Sequence, residues 1–197
     1  MTTDGQNNGG INSPFEFLAD VEPKYKELAE KTMHLFQQCF DEQDDSFDME
    51  KAMAVVTSHT QMAITGTITR TVDSSDATAS ATSEKIKKML HSALSESGIQ
   101  SDQLQSIDSA FTDLSDQQEK PWFKIIKSSS SSTVYQFSFF LCQQNKNTGA
   151  VMNCSPFSLK ITVNISKKVL FEKLRKEKAT YKIEAKGLTI VFPLEQF

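Results

Sequence analysis

The sequence predicts an α+β fold, with amphipathic helices in the N-terminal half and an antiparallel β-sheet formed mainly by the C-terminal half. Between residues 23 and 115 apolar side chains mostly recur every three or four positions, the spacing of a helix with one buried face. From residue 122 onward they mostly alternate, as in strands with one buried and one wet face. The strand patterns form a run joined by short turns, which selects segregated helices and strands over alternating β/α layers.

Residues 1–12 are polar and rich in Gly and Asn, and read as a disordered tail. Residues 13–197 read as one α+β domain, helical over 13–120 and β-rich over 121–197. A chain of this size buries enough surface to fold without disulfides or metal.

Ser13-Pro14 reads as a helix cap followed by Pro at the first helical position, with Phe15, Leu18 and Val21 as a short apolar stripe. From 23 to 40, Tyr25, Leu28, Ala29, Met33, Phe36 and Phe40 fall at helical spacing. Asp41, Glu42, Asp44 and Asp45 make an acidic loop. A second helix starts near Phe47 and carries Met49, Ala52, Met53 and Val56 on one side. Over 61–72 the period changes to two. Met62, Ile64, Gly66, Ile68, Arg70 and Val72 take one face, and Ala63, Thr65, Thr67, Thr69 and Thr71 the other. This run is rich in β-branched residues, which favours a strand over a continued helix.

Residues 73–83 are small and polar, and read as a linker. A helix over 84–97 follows, with Gly98 as its stop, and a second over 102–115 lies antiparallel to it. Strands are expected at 122–127, 133–143 and 157–166, then a short basic helix over 167–178. A final strand runs from 180 to 192, with Gly187 marking a bulge.

The motifs of common catalysis are missing. There is no GxGxxG, Walker A, GxSxG or SxxK. His34, His59 and His91 stand singly, so no metal or cofactor is expected. Counted from Asp41, the acidic loop has Ser46 and Ala52 where a calcium loop needs Gly and Glu, so it reads as a solvated loop favouring the next helix N-terminus. Cys39, Cys142 and Cys154 form no CxxC. Their default is the reduced state, with a Cys142–Cys154 bridge across a hairpin as the alternative. No signal-peptide pattern opens the chain and no 18-residue apolar run occurs, so the expected location is the cytoplasm.

Charge is segregated. Residues 1–60 carry 4 basic and 12 acidic groups, a net of −8, whereas residues 122–197 carry 12 and 4, a net of +8. Opposed ends of this kind suit contact between copies or with another protein. The expected function is therefore a non-catalytic interaction or assembly protein, a self-associating structural subunit. The alternative is a membrane-active or anionic-surface-binding protein using the basic segment 167–178. Membrane ranks low as a partner because the apolar side of that segment (Leu170, Phe171, Leu174) is small. Nucleic acid is disfavoured by a pI near 5.4 and a single arginine in the cluster.

The interaction candidates are Lys167, Lys168, Lys173, Arg175, Lys176 and Lys178, with the threonine face Thr65, Thr67, Thr69 and Thr71. That face has three readings: a wet strand face, a hydroxyl array pairing across strands, or one strand of a pore-forming hairpin with 73–83 as its tip. Arg70 on the apolar face and the helical period of 84–94 weigh against the third.

Overall fold

The structure, a computed structural model, describes residues 13–41, 43, 46–112, 114–173 and 176–195. The tail expected at 1–12 lies outside the described residues, as do Glu42, Asp44 and Asp45 of the acidic loop. Helices combine with a six-stranded mixed sheet, so the α+β class holds. Among the described residues four of the six strands lie in the C-terminal half, as expected, but the sheet draws on the whole chain, because two further strands come from the N-terminal half.

The first apolar stripe is a strand, β1 (Glu16–Asp20), and not a helix. It runs parallel to β4 (Thr133–Gln144), placing Glu16 beside Phe139 and Asp20 beside Gln143. Pairing over so long a separation has no local signature, which is why the stripe reads as helical in isolation. A 3-10 turn, Pro23–Tyr25, leads into α1 (Lys26–Phe36). Asp48 caps α2 (Met49–Ser58), accepting from the Lys51 amide at 3.0 Å. The threonine-rich strand is β2 (Ala63–Ala77), which continues into the stretch expected as a linker, the rest of which opens the next helix.

Thr78 caps α3 (Ala79–Ser95), and Gly98 follows at φ +79. The helix expected over 102–115 is broken into a 3-10 stretch (Ser101–Asp108), α4 (Ser109–Thr112) and α5 (Leu114–Gln117). Short polar side chains here compete with the helical backbone bonds: Thr112 Oγ1, for example, donates to the Asp108 carbonyl at 2.7 Å.

The rest of the sheet is β3 (Phe123–Ser128), β4, β5 (Val151–Val163) and, after α6 (Lys167–Lys173), β6 (Ala179–Pro193). The strand order is β1-β4-β5-β6-β2, with β3 also on β4.

Both sheet faces are covered by helices. Odd-numbered residues of the central strands (Phe137, Phe139, Phe157, Leu159, Ile161, Ile183) pack with Ile86, Leu90 and Leu94 of α3 and with Leu104, Ile107 and Phe111. Even-numbered residues (Phe140, Cys142, Met152, Cys154, Leu188, Ile190) pack with Met33 and Phe36 of α1 and Ala52 and Val56 of α2. Burying each such large apolar side chain stabilises the fold by roughly 1.5–3 kcal/mol.

Gly187 marks no bulge on β6. The β5–β6 register is continuous across it, pairing Cys154 with Ile190 and Phe157 with Gly187. Its role is close approach, since a Cβ there would lie 2.3 Å from the Phe157 Cβ and 2.5 Å from the Pro156 carbonyl oxygen. Bulges fall instead on β2, between Ile64 and Gly66 and between Ser74 and Ala77, and on β3, between Ile125 and Lys127. Gly187→Ala is expected to destabilise the protein by about 1–3 kcal/mol through overpacking, measured as a lower urea midpoint at unchanged slope.

Candidate functional site

The long edge strand β2 places the threonines at the margin of the sheet. Thr67, Thr69 and Thr71 are exposed, opposite Leu188, Lys186 and Glu184. Thr65 departs from this array because it is the extra residue of the first bulge, and one added residue reverses the side-chain phase. Its hydroxyl donates to Thr189 Oγ1 at 3.0 Å, and the Ser97 hydroxyl donates to the same oxygen at 2.8 Å. A small hydroxyl cluster therefore ties β2, β6 and the chain just after α3 together.

The basic segment lies elsewhere, between β5 and β6. Lys167 and Lys168 are exposed on α6, and Lys176 and Lys178 on the approach to β6. Lys173 closes α6, and Leu174 and Arg175 fall outside the described residues. The apolar side of this segment already serves the fold. Leu170 is 1% exposed, and the Phe171 ring lies 6.2 Å from that of Phe123. Surface contact by the described residues of this segment therefore falls to the exposed lysines Lys167, Lys168, Lys176 and Lys178.

Between the threonines and this segment the ladder unites residues that sequence spacing keeps apart. Lys186 stands opposite Thr69 and Ser158, and Lys182 opposite Asp73 and Thr162. The legible trace of this surface was the polar half of the alternation, Ser158, Lys160, Thr162 and Asn164. What was missing was the register that sets it beside β6 and β2.

A polar cleft of about 350 Å³ is lined by His91, Ser95, Asp102 and Lys146 among others. Lys146 pairs with Asp20 at 2.9 Å, and the Ser95 hydroxyl donates to the Ser92 carbonyl, so no serine–histidine pair forms there. His59 lies 2.7 Å from the Val55 carbonyl through Nδ1. Among the described residues no group of three His, Cys, Asp or Glu side chains could hold a metal ion. The three cysteines are free and buried. Cys142 and Cys154 stand directly opposite each other with their Sγ atoms 2.6 Å apart. Burial pushes the Cys39 thiol up to about 11 and that of Cys142 well above its ordinary value.

Glu16 is the exception among the carboxylates. Burial pushes its pKa up to about 7, with Lys120 acting in the opposite direction, and among the described residues its Oε2 has no hydrogen-bond partner. The folded chain thus keeps a proton that the unfolded chain has already released between the ordinary carboxylate value and about 7. Stability from this group is complete below that window and falls as pH rises through it. Glu16→Gln is expected to flatten that part of the stability–pH curve, read from thermal midpoints taken from pH 4 to pH 8.

The features define a class: long antiparallel strands, held between two helical layers, with a polar sheet margin. The sequence profile described as Bacillus thuringiensis toxin matches residues 6–197, and the chain belongs to that family. Over 187 residues it is 28% identical to the type-2Bb cytolytic delta-endotoxin of B. thuringiensis subsp. jegathesan, covering 93% of this chain and 71% of the relative. It is also 28% identical over 187 residues to the type-2Ba cytolytic delta-endotoxin of subsp. israelensis, with the same coverage. The crystal structure of the activated Cyt2Ba monomer from subsp. israelensis superposes with a TM-score of 0.82 at 28% identity, over 92% of this chain and 98% of that one.

This family overturns the expectation of a self-assembling structural subunit. It favours the membrane-active alternative, which the charge pattern had placed second. The physical reason is that local spacing shows only one short basic helix, whereas the large apolar surface of this fold is buried inside it.

Proposed function

We propose that this chain is a membrane-active cytolytic toxin that works by entering a lipid bilayer, without a covalent catalytic step. It acts in this reading at a target membrane, and not in the cytoplasm of the cell that makes it. One observation carries the proposal. Four successive neighbours in the sheet, β4, β5, β6 and β2, are antiparallel and 12, 13, 15 and 15 residues long. About 9–11 residues of tilted strand cross the apolar core of a bilayer. Such strands satisfy one another's backbone groups inside lipid, the condition for a spanning sheet.

The helices now supply the apolar cover that lipid would replace. Among the described residues no helix is long and apolar enough to cross a membrane, which leaves the strands as the candidates. Self-association enters this reading as a step at the membrane, where the sheet edges at β2 and β1 must find partners. The names of the relatives, cytolytic delta-endotoxins, support the same reading.

The test is a reversible lock between α3 and the sheet. Ser97 and Thr189 already touch through their hydroxyls at 2.8 Å. Wild type is expected to release dye from phospholipid vesicles. Oxidised Ser97→Cys/Thr189→Cys is expected to lose at least tenfold of that rate and to regain it on reduction, with wild type carried through the same redox steps as a control. Full lysis by the oxidised lock would show that this part of the sheet does not need to leave its helices.

A further inference from the structure

The even-numbered face of the sheet is divided. Its lower half lies beneath α1 and α2, through Phe140, Met152, Cys154, Leu188 and Ile190. Its other half carries mostly polar side chains, along β2, β6, β5, β4 and β3. Directly opposed residues in an antiparallel ladder share a face, so the register defines this surface. Glu184 lies opposite Thr71 and Lys160, Lys160 opposite Gln136, and Gln136 opposite Lys124. One row further on, Lys182 lies opposite Asp73 and Thr162, Thr162 opposite Val134, and Val134 opposite Lys127.

The surface thus gathers Lys124, Lys127, Lys160, Lys182 and Lys186 against Asp73 and Glu184, five positive groups against two negative. Lys124, Lys127, Lys182 and Lys186 are exposed, and Lys160 is half-buried. Thr67, Thr69 and Thr71 border it on β2. The whole chain is net −4, so this patch opposes the average charge of the molecule.

We propose that this lysine–threonine face, exposed along Lys127, Lys182, Lys186 and the β2 threonines and buried at Gln136 and Ser158, is where the chain docks on a bilayer containing anionic phospholipid, before any strand enters it. The inference rests on the membrane-active reading and names the lipid class and the face. Charge complementarity argues for it, with ammonium groups meeting lipid phosphates and carboxylates, and threonine hydroxyls donating to the same oxygens. Shape argues for it as well. Five strands about 4.8 Å apart make a broad, gently twisted surface, suited to a plane of headgroups. Nucleic acid fits less well, because none of the five cations is an arginine able to grip a phosphate or base edge in bidentate fashion.

Each basic residue near an anionic membrane changes affinity by about fivefold, and the effect fades within a Debye length of roughly 8 Å at physiological salt. The test is sedimentation with neutral phosphatidylcholine vesicles and with vesicles one third phosphatidylserine, at low and high salt, alongside dye release from both. Wild type is expected to bind the anionic vesicles at least tenfold more tightly, with the preference lost at high salt. Lys127→Glu/Lys182→Glu/Lys186→Glu is expected to abolish the preference. The milder Lys182→Gln/Lys186→Gln, which adds no repulsion, should give a partial loss at an unchanged thermal midpoint. Lys167→Glu/Lys168→Glu/Lys176→Glu should keep most of the preference.

Loss following the 167–176 variant instead would overturn this face. So would equal wild-type binding to both vesicles with dye release intact, and that result would leave the cytolytic reading standing. Tight binding to a DNA duplex with no vesicle preference would overturn it too. Absence of binding and dye release with every vesicle would remove the membrane reading and the docking face together.

Discussion

The contact of Gly187 with Phe157 is the constraint on which the arrangement turns. With hydrogen in place of a methyl, β6 closes on β5 without a gap, and the register runs unbroken from Val163 with Tyr181 to Val151 with Pro193. That register settles which even-numbered residues share each row. Leu188, Ile190 and Phe192 fall beside Cys154 and Met152, beneath α1 and α2. Lys182, Glu184 and Lys186 fall beside Thr162, Lys160 and Ser158, where the face is polar. A slip of one residue would exchange the two sets of faces and expose the core.

The odd-numbered face follows a simpler rule, being apolar along its whole length. Phe139 stacks on Phe157 at 5.2 Å, and Tyr181 meets Phe111 edge-on at 6.4 Å. The helical layer on this side is broken into short pieces after α3. Much of its grip is therefore side-chain burial and not long-helix packing, supplemented by point contacts such as Ser97 with Thr189 and Gln103 Nε2 with the Cys142 carbonyl at 3.0 Å. Apolar burial is non-directional, so a lipid interior can substitute for a helix as the partner of these side chains. Backbone bonds are directional, so in the proposed entry into a bilayer the paired strands are the unit that would stay intact.

Legibility in the sequence followed the range of the interaction. β4 and the later part of β5 show themselves through alternation, and β2 through its β-branched residues. α1, α2 and α3 are visible through their periods, whereas the caps Asp48 and Thr78 emerge only in the structure, Thr78 from within a stretch that reads as a linker. β1 was misread because five residues fit either period and its partner lies over a hundred positions away. The early part of β5 was hidden because Met152, Asn153, Cys154, Ser155 and Pro156 do not alternate, although all are buried. The candidate threonines were legible as residues but not as an array, since the bulge that separates Thr65 from Thr67 depends on pairing with Thr189.

The sequence by itself determined the class of fold, the periods of the main helices, the threonine strand and the segregation of charge, because each arises among near neighbours in the chain. It also determined the absence of the common catalytic motifs. Tertiary structure alone decided that the sheet recruits β1 and β2, that Leu170 and Phe171 face inward, and that lysines from three separate strands meet the threonine edge. Those outcomes depend on strand order and register, in which residues distant along the chain become neighbours about 5 Å apart.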